Sequence, residues 1–238
     1  MGEKMIEISG RLKKIASYIS EKSNFADIGS DHAFLSVFVC LKNPDTNGIA
    51  GEVRQGPYEA ARKTVERFRM ESRIKVRLGD GLAVIAKDDA IDTVVIAGMG
   101  GKLIIRILEE NPEIRKRINR FILQPNTHPE IVRAYCEDLG IPLVHESILK
   151  DQGHTYEILM LDRTKASAYQ SQVNFKKQFL FGPVLMKEKS ATFINKWENK
   201  YKQAKQIAEL MKQGENIDID TQNQLHTRLR WMEELLNE

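Results

Sequence analysis

Acidic residues that each close a short apolar run are the chemistry-bearing feature of this chain. The stretch Asn24-Phe25-Ala26-Asp27-Ile28-Gly29-Ser30-Asp31-His32-Ala33-Phe34-Leu35 is followed some two dozen residues later by Gly51-Glu52-Val53. A β run ends at Asp27, turns through Gly29 and enters an apolar helix. An α/β domain presents a glycine turn and a helix N-terminus to a nucleotide-like ligand in this way. Gly29 has no Cβ, so the backbone can approach that ligand closely. The acid that closes the next strand, Glu52, is placed to hold a ribose hydroxyl. Any strand–turn–helix of an α/β protein carries similar punctuation, so this motif alone leaves that bland alternative open.

The later glycines of the dinucleotide fingerprint G-x-G-x-x-G are missing. Against the D-x-G-x-G-x-G pattern of S-adenosylmethionine (SAM) enzymes, the chain matches at Asp27 and Gly29, while Asp31 and Ala33 replace the later glycines. SAM carries no pyrophosphate, so a carboxylate near its ammonium or sulfonium is tolerable where it would repel NAD. Three further loops follow apolar runs: Gly79-Asp80-Gly81-Leu82, Ala97-Gly98-Met99-Gly100-Gly101 and Gln124-Pro125-Asn126. Asp80 is placed to accept from an adenine amino group. Each loop alone is punctuation. Together they line the carboxyl ends of successive strands, where open sheets bind their ligands. The Gly98–Gly101 loop departs from the Pro-Pro-aromatic loop typical of enzymes that methylate exocyclic amino groups. Gln124 and Asn126 can donate and accept, which suits reading a base edge. Asn126 suits capping a helix near Pro129 equally well. Histidines 32, 128, 145, 154 and 226 show no metal-ligand spacing, and no Ser–His–Asp or Cys–His arrangement can be argued. Chemistry must come from a cofactor and from positioning.

The elements that hold these loops are legible as hydrophobic periodicity. Residues 9–21 read as an amphipathic helix, with Leu12, Ile15, Ala16 and Ile19 on one face. Strands are predicted at 24–28, 47–52, 74–78, 92–97, 119–124, 142–149 and 154–162, and helices at 33–41, 57–70, 101–109 and 128–139. Pro57 suits a first helical turn, and Gly140-Ile141-Pro142 a helix stop. Asp151-Gln152-Gly153 reads as a hairpin loop. Strand–helix alternation closed by a hairpin predicts an α/β, Rossmann-like sheet with helices on both faces, the class I SAM-dependent methyltransferase version of the doubly wound fold.

At 238 residues the chain holds one such domain and an appendage. No run approaches the roughly 18 apolar residues of a membrane span, and Met1-Gly2-Glu3-Lys4 lacks a signal-peptide core. Cys40 and Cys136 have no close cysteine or histidine partner, against a disulfide framework or zinc site. The net charge of +3 is unevenly spread: residues 1–163 contain 24 basic and 24 acidic residues, whereas Lys165–Lys212 holds ten basic against three acidic. That surplus is either a polyanion surface or a solvated helix face. Beyond Thr164 strand patterns vanish, and Gly182-Pro183 marks a break. Phe193, Trp197, Tyr201, Ala204, Ala208 and Met211 recur in a heptad-like stripe. Gly214–Asp218 reads as a turn, and Leu225, Leu229, Met232 and Leu236 form a second stripe. Two domains are expected, 1–163 for catalysis and 164–238 as a helical coiled-coil hairpin, with Trp197 and Tyr201 read as core.

Ile8-Ser9-Gly10-Arg11-Leu12, Asp27-Ile28-Gly29-Ser30-Asp31-His32-Ala33, Gly51-Glu52-Val53 with Gly56-Pro57, Gly79-Asp80-Gly81-Leu82, Ala97–Gly101 and Gln124-Pro125-Asn126 resemble the bacterial TrmK family. The likeness extends to Tyr156-Glu157, Phe181-Gly182-Pro183 and the C-terminal hairpin. Phe34 stands where the family leads one to expect Tyr. The resemblance implies SAM-dependent methylation of N1 of the adenine at position 22 of tRNA, with tRNA as partner. Composition and spacing give the expectation of no metal, no membrane and a cytoplasmic location, and a monomer is expected although the sequence does not fix oligomeric state. With the order of the motifs, it implies SAM contacts at Asp27, Gly29, Ser30, Glu52, Asp80, Gly81, Ala97, Gly98 and Met99. Asp31 is then the candidate to offset charge on the base, Asn126 and Gln124 to read its edge, and His32 to position it. Asp31 as a mere helix cap is the competing reading. A SAM enzyme with another substrate and a non-catalytic RNA-binding module are the rival functions; the missing glycines disfavour an NAD enzyme.

Overall fold

The computed structural model describes residues 6–212 and 218–237. Residues 1–5, where no signal peptide is expected, and 214–217 of the expected Gly214–Asp218 turn lie outside the described residues. The chain divides into two compact units, 1–169 and 170–238. Ala168 donates to Leu143 O at 2.7 Å and Tyr169 packs on the first unit's core, so that unit runs six residues past the expected boundary at 163.

The first unit is built on one seven-stranded sheet in the order β3-β2-β1-β4-β5-β7-β6. All seven expected strands form: β1 Phe25–Ile28, β2 Gly48–Glu52, β3 Ile74–Leu78, β4 Thr93–Gly100, β5 Arg120–Thr127, β6 Leu143–Asp151 and β7 His154–Asp162. The first five run parallel, and β7 enters antiparallel to β5 and β6. Both faces are covered, which is why β1 and the start of β4 are buried at every residue. Side chains alternate across the sheet. Ala26, Val94, Ile96, Phe121 and Leu123 point into one core, and Phe25, Val95 and Ile122 into the other.

Helix α1 (Gly10–Ala16), α2 (Phe34–Lys42) and α3 (Gln55–Phe68) cover the second core, with Ile15, Leu35, Val39, Ala61 and Val65 buried there. The helix expected over 9–21 stops at Ala16, though Ile19 stays buried. Helix α4 (Gly101–Glu110) and α6 (Pro129–Asp138) cover the first core through Ile104, Ile107, Leu108, Val132 and Cys136. A short α5 (Pro112–Arg117), absent from the sequence reading, begins at Pro112, whose missing N–H is harmless in a first turn.

Arg133 of α6 is fully buried and donates to Glu146 Oε2 from Nε at 2.8 Å and to Glu157 Oε2 from Nη2 at 2.6 Å. Burial alone would lower the guanidinium pKa; the two glutamates outweigh it and hold it above the ordinary value. This arrangement pins α6 to the closing hairpin, and so fixes the end of β5.

The second unit contains α7 (Phe175–Phe181), α8 (Pro183–Glu188), α9 (Ala191–Lys212) and α10 (Ile219–Asn237). Trp197 is core, packed edge-on to Phe181 at 4.5 Å and near Phe193 at 6.3 Å. Tyr201 on the same stripe donates to Glu233 of α10 at 3.1 Å. Ala204, Ala208 and Met232 are buried as expected and α9 packs on α10 as a helical hairpin, but Leu235 is buried in place of the expected Leu236, and Leu225, Leu229 and Tyr201 are half-buried.

Removing the cation from a buried cluster strands its anions. Arg133→Met should therefore destabilise the protein by about 3–5 kcal/mol in urea unfolding. A loss within experimental error would show that water already reaches the cluster.

Candidate active site

Strand order reverses between β1 and β4, and the crevice this opens at their carboxyl ends is where a doubly wound sheet takes its ligand. Two bonded clusters meet there.

The first is centred on Glu52, buried at the end of β2. Its Oε1 accepts from the Asp31 N–H at 2.5 Å and from the Ser30 hydroxyl at 3.1 Å. Gly29 and Ser30 N–H groups donate to Gly51 O, and Gly79 N–H donates to Glu52 O at 2.8 Å. The loops after β1, β2 and β3 are thus tied into one ledge. Gly29 has φ +69, a left-handed conformation that favours glycine, and a Cβ there would meet the flexible end of Met99, 2.3 Å from Cε. Beyond it Asp31, His32 and Ala33 all adopt left-handed φ, at 39, 67 and 58°. Such backbone is costly for residues with a Cβ and persists where its surroundings enforce it. The turn throws Asp31 outward, its side chain 85% exposed and Oδ1 3.6 Å from His32 Nε2. His32 stacks flat on Phe34, ring centroids 5.3 Å apart. The N-cap of α2 is Ala33, with no side-chain cap bond. The helix-cap reading of Asp31 is therefore wrong. Asp80 is exposed ahead of a 3-10 turn at Gly81–Val84, and Gly81 is buried against Ile107.

The second cluster surrounds Gln124, fully buried on β5 and paired with Ala97 of β4. Its Oε1 accepts from Arg11 Nη1 at 2.5 Å and from the Gly98 N–H at 3.0 Å. Its Nε2 donates to Asn126 Oδ1 at 2.9 Å, and Asn126 Nδ2 donates to Gly98 O at 2.8 Å. The α6 N-cap is His128, so Asn126 does not cap that helix. Gly98 takes φ +78 at an irregularity in the β4–β5 pairing, which turns its peptide toward both amides. Arg11 carried no assigned role in the sequence. Its contact spans 113 positions and has no local signature. Among the described residues no bond joins Asp31 or His32 to this cluster.

Asp27 lies between the two clusters. Its carboxyl is pushed up to about 7, first by burial and then by the Glu52 charge; the Ser36 hydroxyl and the Arg11 guanidinium offset only part. Asp27 Oδ2 is buried without a hydrogen-bond partner. The crevice therefore holds two carboxyl groups with one oxygen unsatisfied, an electrostatic setting that favours a cation.

The family model described as tRNA (adenine(22)-N(1))-methyltransferase, TrmK, matches residues 25–234. The chain belongs to the TrmK family. The tRNA (adenine(22)-N(1))-methyltransferase of Bacillus subtilis (strain 168) is 36% identical over 234 residues, 98% of each chain. The crystal structure of the B. subtilis m1A22 tRNA methyltransferase TrmK superposes with a TM-score of 0.89 at 35% identity, covering 98% of this chain and 100% of that one. Streptococcus pneumoniae Sp1610, solved in complex with S-adenosyl-L-methionine, gives a TM-score of 0.83 at 35% identity over 97% of this chain and all of that one. As a TrmK member the chain is a SAM-dependent tRNA (adenine-N1)-methyltransferase with the expected Rossmann-like fold. Among the described residues, no helix is long and apolar enough to cross a membrane, and no group of three or more His, Cys, Asp or Glu is placed to hold a metal.

A carboxyl whose pKa is raised binds its proton more tightly in the folded chain than in the unfolded one. Its destabilising contribution is therefore absent below pH 4 and complete above pH 7. In the ligand-free protein Asp27→Asn should gain on the order of 4 kcal/mol at pH 8, converging with the parent at pH 4. Urea unfolding at the two pH values measures this. A pH-independent difference would assign the titration to another group.

Proposed function

We propose that the ends of β1, β2 and β3 hold SAM, that the ends of β4 and β5 receive the target adenine, and that the basic helical unit holds the tRNA in the cytoplasm by its phosphates, one monomer to each substrate. The observation that carries the cofactor assignment is Asp27 Oδ2, buried and unpartnered beside Glu52. An orphaned carboxylate oxygen fits a cationic amino acid moiety and would repel a pyrophosphate. Asp27, Gly29 and Ser30 would hold that moiety, Glu52 the ribose, and Asp80 with Gly81 the adenine ring. Ala97, Gly98 and Met99 would close the far side. Glu52 spends Oε1 on Ser30 and Asp31, which leaves Oε2 to accept from a ribose hydroxyl.

Bound SAM supplies an electrophilic methyl group on a sulfonium. The chain's own residues have to present the nucleophile. N1 of a neutral adenine already carries a lone pair, so no strong base is needed. The base must leave its stack and be held in line with the methyl group. Asn126, oriented by Gln124, is the group placed to hold the base edge. The flat His32–Phe34 stack offers a surface beside it. Methylation leaves positive charge on the base, and the Asp31 carboxylate, once covered by substrate, is the group placed to offset it. Phe34 has no hydroxyl, so in this chain that position contributes a face and no proton.

Two variants separate binding from chemistry. Glu52→Gln keeps an acceptor for the Asp31 N–H but loses the charge, and should weaken SAM binding by about 1.5–3 kcal/mol in calorimetry. Asp31→Asn should bind SAM normally and slow single-turnover methylation on the order of ten- to a hundred-fold. Unchanged SAM affinity in Glu52→Gln would remove Glu52 from the site, and a wild-type rate in Asp31→Asn would leave positioning as the whole of catalysis.

The second unit makes its own prediction. Its surplus of basic residues lies in Lys176–Lys212, nine basic against three acidic, and phosphate contacts release counterions. Affinity for tRNA should fall steeply with salt, and replacing Lys196, Lys200, Lys202 and Lys205 with Gln should flatten that slope while SAM affinity stays constant. An unaltered slope would move the phosphate contacts elsewhere.

A further inference from the structure

Arg11 reaches the site from outside it. Its own N–H donates to Asp151 Oδ2 at 2.8 Å, in the closing hairpin, and its guanidinium carbon lies 5.3 Å from the centre of the Tyr156 ring. Helix α1 is thereby docked on β6 and β7 with one cation extended to Gln124. A guanidinium and a backbone N–H have no acceptor, so the Gln124 atom they share must be oxygen. The other Gln124 atom is then the amide nitrogen, and the Asn126 atom facing it must be oxygen. Gly98 O, which cannot donate, demands the same orientation of Asn126 from the other side. Two of the anchors, an N–H and a C=O on successive peptide groups, belong to the one residue Gly98, a glycine with left-handed φ and no side chain to hold it. The anchor fixed from elsewhere in the fold is Arg11.

The orientation has a consequence at the crevice. Asn126 is exposed. After the bonds above, its Oδ1 keeps one lone pair and its Nδ2 one N–H. A free acceptor and a free donor on one amide are the groups that Asn uses in its bidentate pairing with N6–H and N7 of adenine. This edge is the one that leaves N1 free. Guanine offers O6 and N7, both acceptors, and would set O6 against Oδ1. Pairing on the opposite edge would occupy N1, the atom to be methylated.

We propose that Arg11 is a positioning residue which, through Gln124, locks Asn126 to hold the target adenine by N6 and N7, so that only N1 faces the methyl group. The proposal rests on the reading of Asn126 as the base contact, and the experiment is arranged to tell the two apart. Full-length tRNA is prepared with adenosine or 7-deazaadenosine at the target position, and kcat/KM is measured for each with wild type, Arg11→Met, Arg11→Lys and Asn126→Ala. Loss of N7 leaves N1 at least as basic, so any defect reports recognition and not nucleophilicity. Wild type should prefer adenosine by about ten- to a hundred-fold. With SAM saturating, Arg11→Met should bring that ratio down toward one, while Arg11→Lys, which keeps the charge near Asp27, should restore most of it and bind SAM with wild-type affinity in calorimetry. A merely structural role would slow both substrates alike in Arg11→Met and leave the ratio standing, which would overturn the lock. Equal methylation of the two substrates by wild type, with Asn126→Ala impaired on both, would overturn the N7 contact while sparing the base-contact reading. Full activity of Asn126→Ala would remove that reading and the proposal with it.

Discussion

Two carboxyl groups share the carboxyl ends of β1 and β2, and the difficulty of burying both organises everything around them. Glu52 relieves its own charge by accepting from the Ser30 hydroxyl and the Asp31 N–H. Asp27 has no equivalent donor at Oδ2, and its pKa rises to about 7. A structure selected for stability alone would place an apolar side chain there, as buried ionisable groups are commonly replaced at a gain. What the site gains is a local field that favours a cation and disfavours phosphate. The same field explains why Asp31 and Ala33 can stand where other nucleotide-binding turns need glycine. No pyrophosphate has to fit against that backbone, so side chains are tolerated at the price of left-handed φ.

That backbone strain is held locally. Three consecutive non-glycine residues with positive φ cost on the order of 1–3 kcal/mol each, and the Glu52 bonds to Ser30 and Asp31 are what hold the turn in place. Glu52 Oε1 thus braces the turn, and on the proposed function Oε2 takes the second task of holding the ribose. The bracing also decides where Asp31 and His32 go. In the turn as it stands the Asp31 side chain is exposed and the His32 ring lies against Phe34.

The sheet was legible in the sequence because parallel strands buried on both faces leave uninterrupted apolar runs bounded by turn residues, and all seven expected strands form. Helix ends were less legible. The apolar period continues from Leu12 to Ile19 although the helix stops at Ala16, because burial and helicity are separate demands and Ile19 meets only the first. The short helix at Pro112 carries no buried residue and so leaves no period to read. Within the site, residues that follow strands were legible by position alone. What they bond to was not, since Asn126 as a cap and Asn126 as a base contact share one sequence pattern. The cap reading falls because His128 is the N-cap residue of α6. Arg11 was hidden for a stronger reason, because its partners Gln124, Asp151 and Tyr156 all lie more than a hundred residues away.

A site that attracts a cation is poorly suited to draw in a polyanion. The first 163 residues carry balanced charge, and within them the crevice is acidic, so long-range attraction for tRNA has to originate elsewhere in the chain. On the proposed function, the lysines concentrated between Lys165 and Lys212 supply that attraction, those of the 22-residue α9 among them, so that binding by charge and selection by hydrogen bonding fall to different parts of the sequence. Arg11 is the cation that enters the crevice, and its guanidinium is committed to an amide oxygen and an aromatic face, where it orients a neighbour and leaves the acidic field largely intact.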